Sequence, residues 1–179
     1  MIGEGAAIFL VQRDASEIAL FGVGTSSDAY SMTAPEPEGR GIVRAVRDAP
    51  ADAGVTPSDI DYVHLHGTGT RHNDEMESKV VQRVFGTSTP CSSSKAQIGH
   101  TLGAAGAMGA AHCWLAASDM NEKRLLPPHV WDGQAEDGLL ADCLVECGAR
   151  LAPTAPGIFL CNAFGFGGSN ASLVIGKAG

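Results

Sequence analysis

The chain has no apolar run close to the roughly 18 residues that a bilayer-crossing helix needs. Its start, Met1-Ile2-Gly3-Glu4-Gly5, carries neither the basic region nor the hydrophobic stretch of a secretion signal, so a cytoplasmic location and no membrane association are expected. Basic residues are scarce: 12 Lys and Arg against 20 Asp and Glu leave a formal charge of -8, which disfavours nucleic acid or an anionic membrane as partner. The five cysteines (Cys91, Cys113, Cys143, Cys147, Cys161) are odd in number and form no C-x-x-C pair. That argues against a disulfide framework or a zinc ribbon and for reduced thiols. Internal repeats and low-complexity linkers are lacking too. With 44% hydrophobic residues, 18% charged residues and 23 Gly in 179 residues, the composition excludes a disordered tail and suits one sizeable core. Residues 1–179 are therefore expected to form a single domain.

Alternation and turn signals predict strands at 2–11 and 19–23, paired as a hairpin, and at 59–65, 157–162 and 169–175. A further short strand is expected at 143–146 within a loop-rich stretch at 133–150. Residues 26–39 are dense in turn formers and read as the rim of a site. Residues 41–53 have helical spacing, but Pro50 lacks an N–H and clashes with the Val46 carbonyl, so the helix is expected to kink or stop near Ala49. The clearest amphipathic helix is 74–85, in which Glu77 falls inside the apolar arc and needs a partner. The segment from Lys95 to Ser118 is apolar on all sides after His100, which predicts a helix buried all round. In the 59–65 strand, alternation places Ile60, Tyr62 and His64 on one face and His66 at the strand's end.

Three sets of polar residues stand beside glycines where apolar elements end: His66 before G-T-G-T, Lys95 with His100 in K-A-Q-I-G-H, and Asn162 with Phe164 in N-A-F-G-F-G-G. Singly, each has a plain structural explanation, such as a hydrogen-bonded strand end, a helix N-terminal residue or a Lys95–Glu77 ion pair. Together they are too many polar groups for an ordinary core of this composition, and they are expected to converge on one concave site.

The combination of H-G-T-G-T at 66–70, D-E-M-E at 74–77, S-S-S-K-A-Q-I-G-H-T-L-G-A-A-G at 92–106 and N-A-F-G-F-G-G-S-N at 162–170, with S-S-D-A-Y-S-M-T-A-P at 26–35, strongly resembles the C-terminal half of β-ketoacyl-acyl carrier protein synthases. The resemblance spans essentially the whole chain. It implies an α/β, thiolase-like half with a five-stranded mixed sheet and a buried helix layer. It also implies decarboxylative Claisen condensation of malonyl-carrier protein with an acyl thioester, in fatty-acid or polyketide-type synthesis. By the same resemblance, His66 and His100 bind the malonyl thioester oxygen, Lys95 pairs with Glu77 to hold the site, Thr68 and Thr70 bind the pantetheine arm, and Phe164, next to the mobile Gly165, gates the acyl pocket. No cofactor is implied beyond the phosphopantetheine that arrives on the carrier protein. The implied partners are acyl carrier protein and an N-terminal synthase half or partner subunit, in a complete enzyme that is a dimer.

Departures from the family matter as well. The nucleophilic cysteine belongs to the other half, so the chain alone is expected to be inactive. Cys91, in P-C-S-S-S-K, is not expected to replace it, because no helix N-terminus of its own lowers its pKa. Related synthases often carry Asn, Glu and Ser, which help to hold a monovalent cation, where this chain has His64, Gly109 and Cys161, so no metal is expected. Met1 falls at an interior strand position of the family, as in a truncated or split product. A lone half would leave the 100–118 helix and one sheet face exposed. Two other readings compete: a non-catalytic partner subunit of the chain-length-factor type, and a metal hydrolase built on His64, His66, His72 and Asp74, whose spacing matches no recognised ligand set.

Overall fold

The computed structural model describes residues 1–136 and 138–178. Asp137, inside the stretch expected to be loop-rich, and Gly179 lie outside the described residues. In chain order the main elements are β1 (Ile18–Ser27), α1 (Arg40–Asp52), β2 (Tyr62–His64), α2 (Arg71–Phe85), β3 (Cys91–Ser92), α3 (Lys95–Ile98), α4 (Ala105–Ala117), β4 (Ile158–Gly165) and β5 (Ser169–Lys177). The strands form one five-stranded mixed sheet in the order β1-β5-β4-β2-β3. The β4–β5 hairpin is antiparallel and extends antiparallel to β1, whereas β2 lies parallel to β4 on one side and to β3 on the other.

Each sheet face buries its own core. Val63, Leu160 and Val174 point to one face, where they meet Ile42, Val43 and Val46 of α1 and Val80 and Val81 of α2. Tyr62, Phe159, Cys161 and Ile175 point to the other, against Ala110 and Cys113 of α4. Successive strand residues alternate between faces, so this division follows from the sequence of each strand. Helix α1 sits unusually close to β1. A Cβ added at Gly24 would lie 2.0 Å from the Ala45 carbonyl oxygen, so only glycine permits that approach.

Several expectations need correction. Residues 2–11 do not form a strand or a hairpin with β1. Among the described residues, the backbone at residues 1–3 pairs with His100, through His100 N–H to Met1 O and Gly3 N–H to His100 O, and Ile8, Leu10 and Val11 are exposed. An apolar run without a ladder partner has nothing to make it a strand. Helix α1 runs through Pro50 to Asp52. Because Pro50 lies so near the helix end, the helix forgoes one hydrogen bond there and continues. The 59–65 strand is shortened to Tyr62–His64 by a 3-10 turn at Pro57–Asp59, capped by Thr56, so Ile60 packs on the opposite face from Tyr62. The Lys95–Ser118 segment is not one helix: α3 stops at Gly99, at φ +73°, and a 3-10 turn at Leu102–Ala104 precedes α4. Nor is α4 buried all round. Gly109, Ala110 and Cys113 face the sheet while Leu115 is exposed, the exposure expected of a half standing alone. Residues 143–146 form no strand, only a parallel bridge between Leu144 and Cys91. No helix is long and apolar enough to cross a membrane among the described residues.

Candidate active site

A cavity of about 590 Å³ opens at the C-terminal end of β2 and β4. Strand β2 delivers His66 to it, the bend after α3 delivers His100, and the end of β4 delivers Phe164 and Gly165. The His66 and His100 rings stand edge to face with centroids 5.5 Å apart, and the Phe164 ring lies 5.5 Å from His66, tilted by 54°. Thr68 and Thr70, whose hydroxyls are 2.9 Å apart, complete that wall. No cysteine is among the described lining residues.

The segment that carries His66 is pinned through its main chain. The Glu77 carboxylate, buried on α2, accepts the His66 and Gly67 N–H groups, each at 2.7 Å, and the Asn73 side-chain amide at 3.3 Å. The Lys95 ammonium donates to the His66 carbonyl, and Ser93 Oγ donates to the Gly67 carbonyl at 3.0 Å. Gly67 has φ +47°, and a Cβ there would lie 2.5 Å from Ser93 Cβ, so this tight approach requires glycine. Lys95 and Glu77 are not in direct salt-bridge contact: two main-chain amides and the Asn73 amide occupy the carboxylate and a carbonyl holds the ammonium, so the two charges act on each other without touching. Both line a second cavity of about 450 Å³, which Thr68 and His100 also border. Neither lines the first cavity; Glu77 holds the main chain of the His66 segment, and the Lys95 charge acts on both imidazoles.

The electrostatics suit neutral imidazoles. Burial first, then the Lys95 charge and His100, push His66 down to about 3. Burial and Lys95 also lower His100. The plain explanation of His100 as a helix N-terminal residue does not apply, because α4 begins at Ala105. His100 Nδ1 accepts the Leu102 N–H at 3.1 Å, which assigns the ring proton of the neutral form to Nε2. Burial also raises the Glu77 carboxyl and lowers the Lys95 ammonium, each opposed by the other's charge.

Asn162 does not join the site. Its Oδ1 accepts the Ser172 hydroxyl at 2.8 Å across the β4–β5 hairpin, and the side chain is buried. Asp28 and Asn170 do join it, although residue reasoning gave them no role. Asn170 Nδ2 donates to Asp28 Oδ1 at 2.7 Å, Asp28 N–H to Gly168 O at 2.9 Å and Gly167 N–H to Met32 O at 2.8 Å. These bonds fasten the 26–39 loop to the 165–168 turn, and Asp28, Thr33, Ala34 and Pro35 line the cavity. The signal lay in the polar ends of the S-S-D and G-G-S-N motifs.

His64, Gly109 and Cys161 do converge: a Cβ at Gly109 would lie 2.9 Å from Cys161 Sγ and 3.1 Å from His64 Nδ1. They offer an imidazole and a thiol where a hard monovalent cation requires oxygen, so this set does not fit such an ion. Among the described residues, no group of three or more His, Cys, Asp or Glu is placed to hold a metal, and His72 is exposed on α2. The metal-hydrolase reading has no ligand set.

With this geometry in place, the comparisons with known proteins are specific. The chain is 33% identical to 3-oxoacyl-[acyl-carrier-protein] synthase 2 of Coxiella burnetii and 38% identical to that of Vibrio harveyi, each match covering 99% of this chain and 44% of the relative. It thus spans less than half the length of these curated relatives. Among solved structures, it superposes with a TM-score of 0.77 and 45% identity on a ketosynthase (ApeO) in complex with its chain length factor (ApeC) from Xenorhabdus doucetiae, covering 93% of this chain and 40% of that one. The ishigamide ketosynthase/chain length factor gives a TM-score of 0.74 at 34% identity over 89% of this chain and 38% of that one. Residues 18–130 match the family model "Beta-ketoacyl synthase, C-terminal domain", and this chain accordingly belongs to the β-ketoacyl synthase family, of which it represents the C-terminal part.

Proposed function

We propose that residues 1–179 form the C-terminal catalytic domain of a β-ketoacyl-acyl carrier protein synthase. Joined to a half that carries the nucleophilic cysteine, in a dimeric cytoplasmic enzyme of fatty-acid or polyketide-type synthesis, it performs decarboxylative Claisen condensation. The observation that carries this reading is the His66–His100 pair, 5.5 Å apart on one cavity wall. The substrate is malonyl-carrier protein. Its pantetheine arm runs past Thr68 and Thr70, and its thioester oxygen accepts hydrogen bonds from the two imidazoles. Loss of carbon dioxide leaves an enolate, whose oxygen keeps those bonds while its carbon attacks the acyl thioester on the partner half's cysteine. Neutral imidazoles suit this role, since each donates one N–H without needing to lose a proton. The Lys95 charge that keeps them neutral also favours the enolate anion. Lys95 and Glu77 are positioning residues, and Phe164 with Gly165 gates the acyl side of the cavity.

Reconstitution tests the assignment. With a cysteine-bearing N-terminal half and malonyl-carrier protein, the assembled protein forms β-ketoacyl product, while this chain alone forms none. Condensation by the isolated chain would overturn the division of roles. Condensation that is indifferent to His66→Ala and His100→Ala would assign the chain instead to the non-catalytic, chain-length-factor type.

A further inference from the structure

Away from the cavity, the sulfur atoms of Cys91 and Cys143 lie 3.4 Å apart. Cys91 sits on β3, and Cys143 belongs to the long connection between α4 and β4. Their backbones are already joined: Cys91 N–H donates to Cys143 O at 2.8 Å and Val145 N–H to Cys91 O at 3.0 Å, with a parallel bridge from Cys91 to Leu144. The next residues of β3 hold the same connection, Ser92 Oγ donating to Pro127 O at 2.6 Å and Ser93 N–H to His129 Nδ1 at 3.1 Å. The two sulfurs thus face each other at 3.4 Å from segments whose main chains are hydrogen-bonded together.

The two thiols are not equivalent. Cys91 is fully buried, whereas Cys143 is 7% exposed. The Cys91 S–H hydrogen bond pulls the Cys143 thiol down to about 7, and the same contact pushes Cys91 up. Cys143 is therefore the less buried of the two and the nucleophile of the pair.

We infer that Cys91 and Cys143 are a built-in disulfide site, closed by hydrogen peroxide and stapling the 126–145 connection to sheet edge β3. In the first step the Cys143 thiolate attacks one peroxide oxygen, giving Cys143 sulfenic acid and, after protonation, water. In the second, Cys91 sulfur displaces the sulfenic hydroxyl, which leaves as a second water with the Cys91 proton. Two thiols lose two electrons in total, and the peroxide gains them. The site lies outside the machinery of the proposed function and does not depend on it.

The bond closes a loop across 52 residues of sequence, which on chain-entropy grounds raises Tm by about 8–16 °C for a chain of this size. The test is hydrogen peroxide treatment of the full chain in a Cys147→Ser background, which removes the exposed thiol. The expected result is a mass loss of about 2 Da, as two thiols become one disulfide. A peptide joining Cys91 to Cys143 should appear in a non-reducing digest, and Tm should rise and return to its starting value with dithiothreitol. Cys143→Ser should abolish all three changes. Retention of all four thiols, at a peroxide dose that fully oxidises Cys147 in the unsubstituted chain, overturns the inference. So does a bond that joins Cys113 to Cys161 instead.

Discussion

Replacing Glu77 separates a carboxylate that organises the site from one that is merely tolerated. It is buried, with two main-chain N–H groups at 2.7 Å and the Asn73 amide at 3.3 Å. In Glu77→Gln one amide oxygen can still accept one N–H, but the side-chain NH₂ then faces the other. One charge-assisted hydrogen bond, worth about 1.5–3 kcal/mol, is lost and a buried donor is left without an acceptor. Against this, the amide avoids the cost of burying a charge, which already raises the Glu77 carboxyl, so the net loss should be about 2 kcal/mol. Glu77→Ala leaves both N–H groups unpaired over a cavity and should cost about 4 kcal/mol. Urea unfolding of the protein, followed by circular dichroism, measures both. Glu75→Gln serves as control, because the exposed Arg71–Glu75 pair is worth less than about 1 kcal/mol. If Glu77→Gln unfolds at the same urea concentration as the control, the carboxylate does not hold the His66–Gly67 segment and the reasoning fails.

Other perturbations have equally definite outcomes. His66 has its ring pushed down to about 3 from an ordinary 6.5, so the unfolded chain binds the extra proton between those values. Its contribution to stability is complete above pH 6.5 and falls as pH drops toward 3, by about 2 kcal/mol at pH 5. In NMR titration its ring should stay neutral at pH 5, and a protonation midpoint near 6.5 would contradict the burial argument. Gly24→Ala places a methyl 2.0 Å from the Ala45 carbonyl oxygen and should cost about 3 kcal/mol through displacement of α1, whereas wild-type stability would disprove the close packing of α1 on β1. Asp28→Ala removes the acceptor of the Asn170 amide and should cost about 1–2 kcal/mol, with faster limited proteolysis between residues 29 and 35 as the readout. Unchanged cleavage would show that the loop is fastened elsewhere.

How much of this was legible beforehand depends on the kind of signal. The β4–β5 hairpin could be read because its apolar runs are bounded by glycine clusters, and Glu77 because a carboxylate inside an apolar arc must be buried. His66 and His100 stood beside glycines at the ends of apolar elements, and the structure brings both to one cavity. Residues 2–11 misled because alternation reports a pattern and not a ladder partner. Asn162 misled because a buried amide beside glycines can turn its oxygen across a hairpin, here to the Ser172 hydroxyl, instead of toward the cavity. The Lys95–Glu77 pairing failed for a further reason: opposite charges near one segment can each bind its peptide groups, a choice set by backbone geometry that spacing does not encode. The family resemblance groups His64, Gly109 and Cys161, far apart in sequence, and the fold adds that Gly109 leaves the room the other two side chains occupy.

The central claim is that the imidazoles of His66 and His100 act together on one thioester oxygen. It is tested most directly by the rate of malonyl-carrier protein decarboxylation in the reconstituted synthase, with its cysteine alkylated so that condensation does not intervene. His66→Ala and His100→Ala should each lower that rate by about 10²-fold or more, the usual cost of losing one oxyanion donor, and the double variant should lose little beyond the larger single effect. A rate within about twofold of wild type for either single variant would contradict the account.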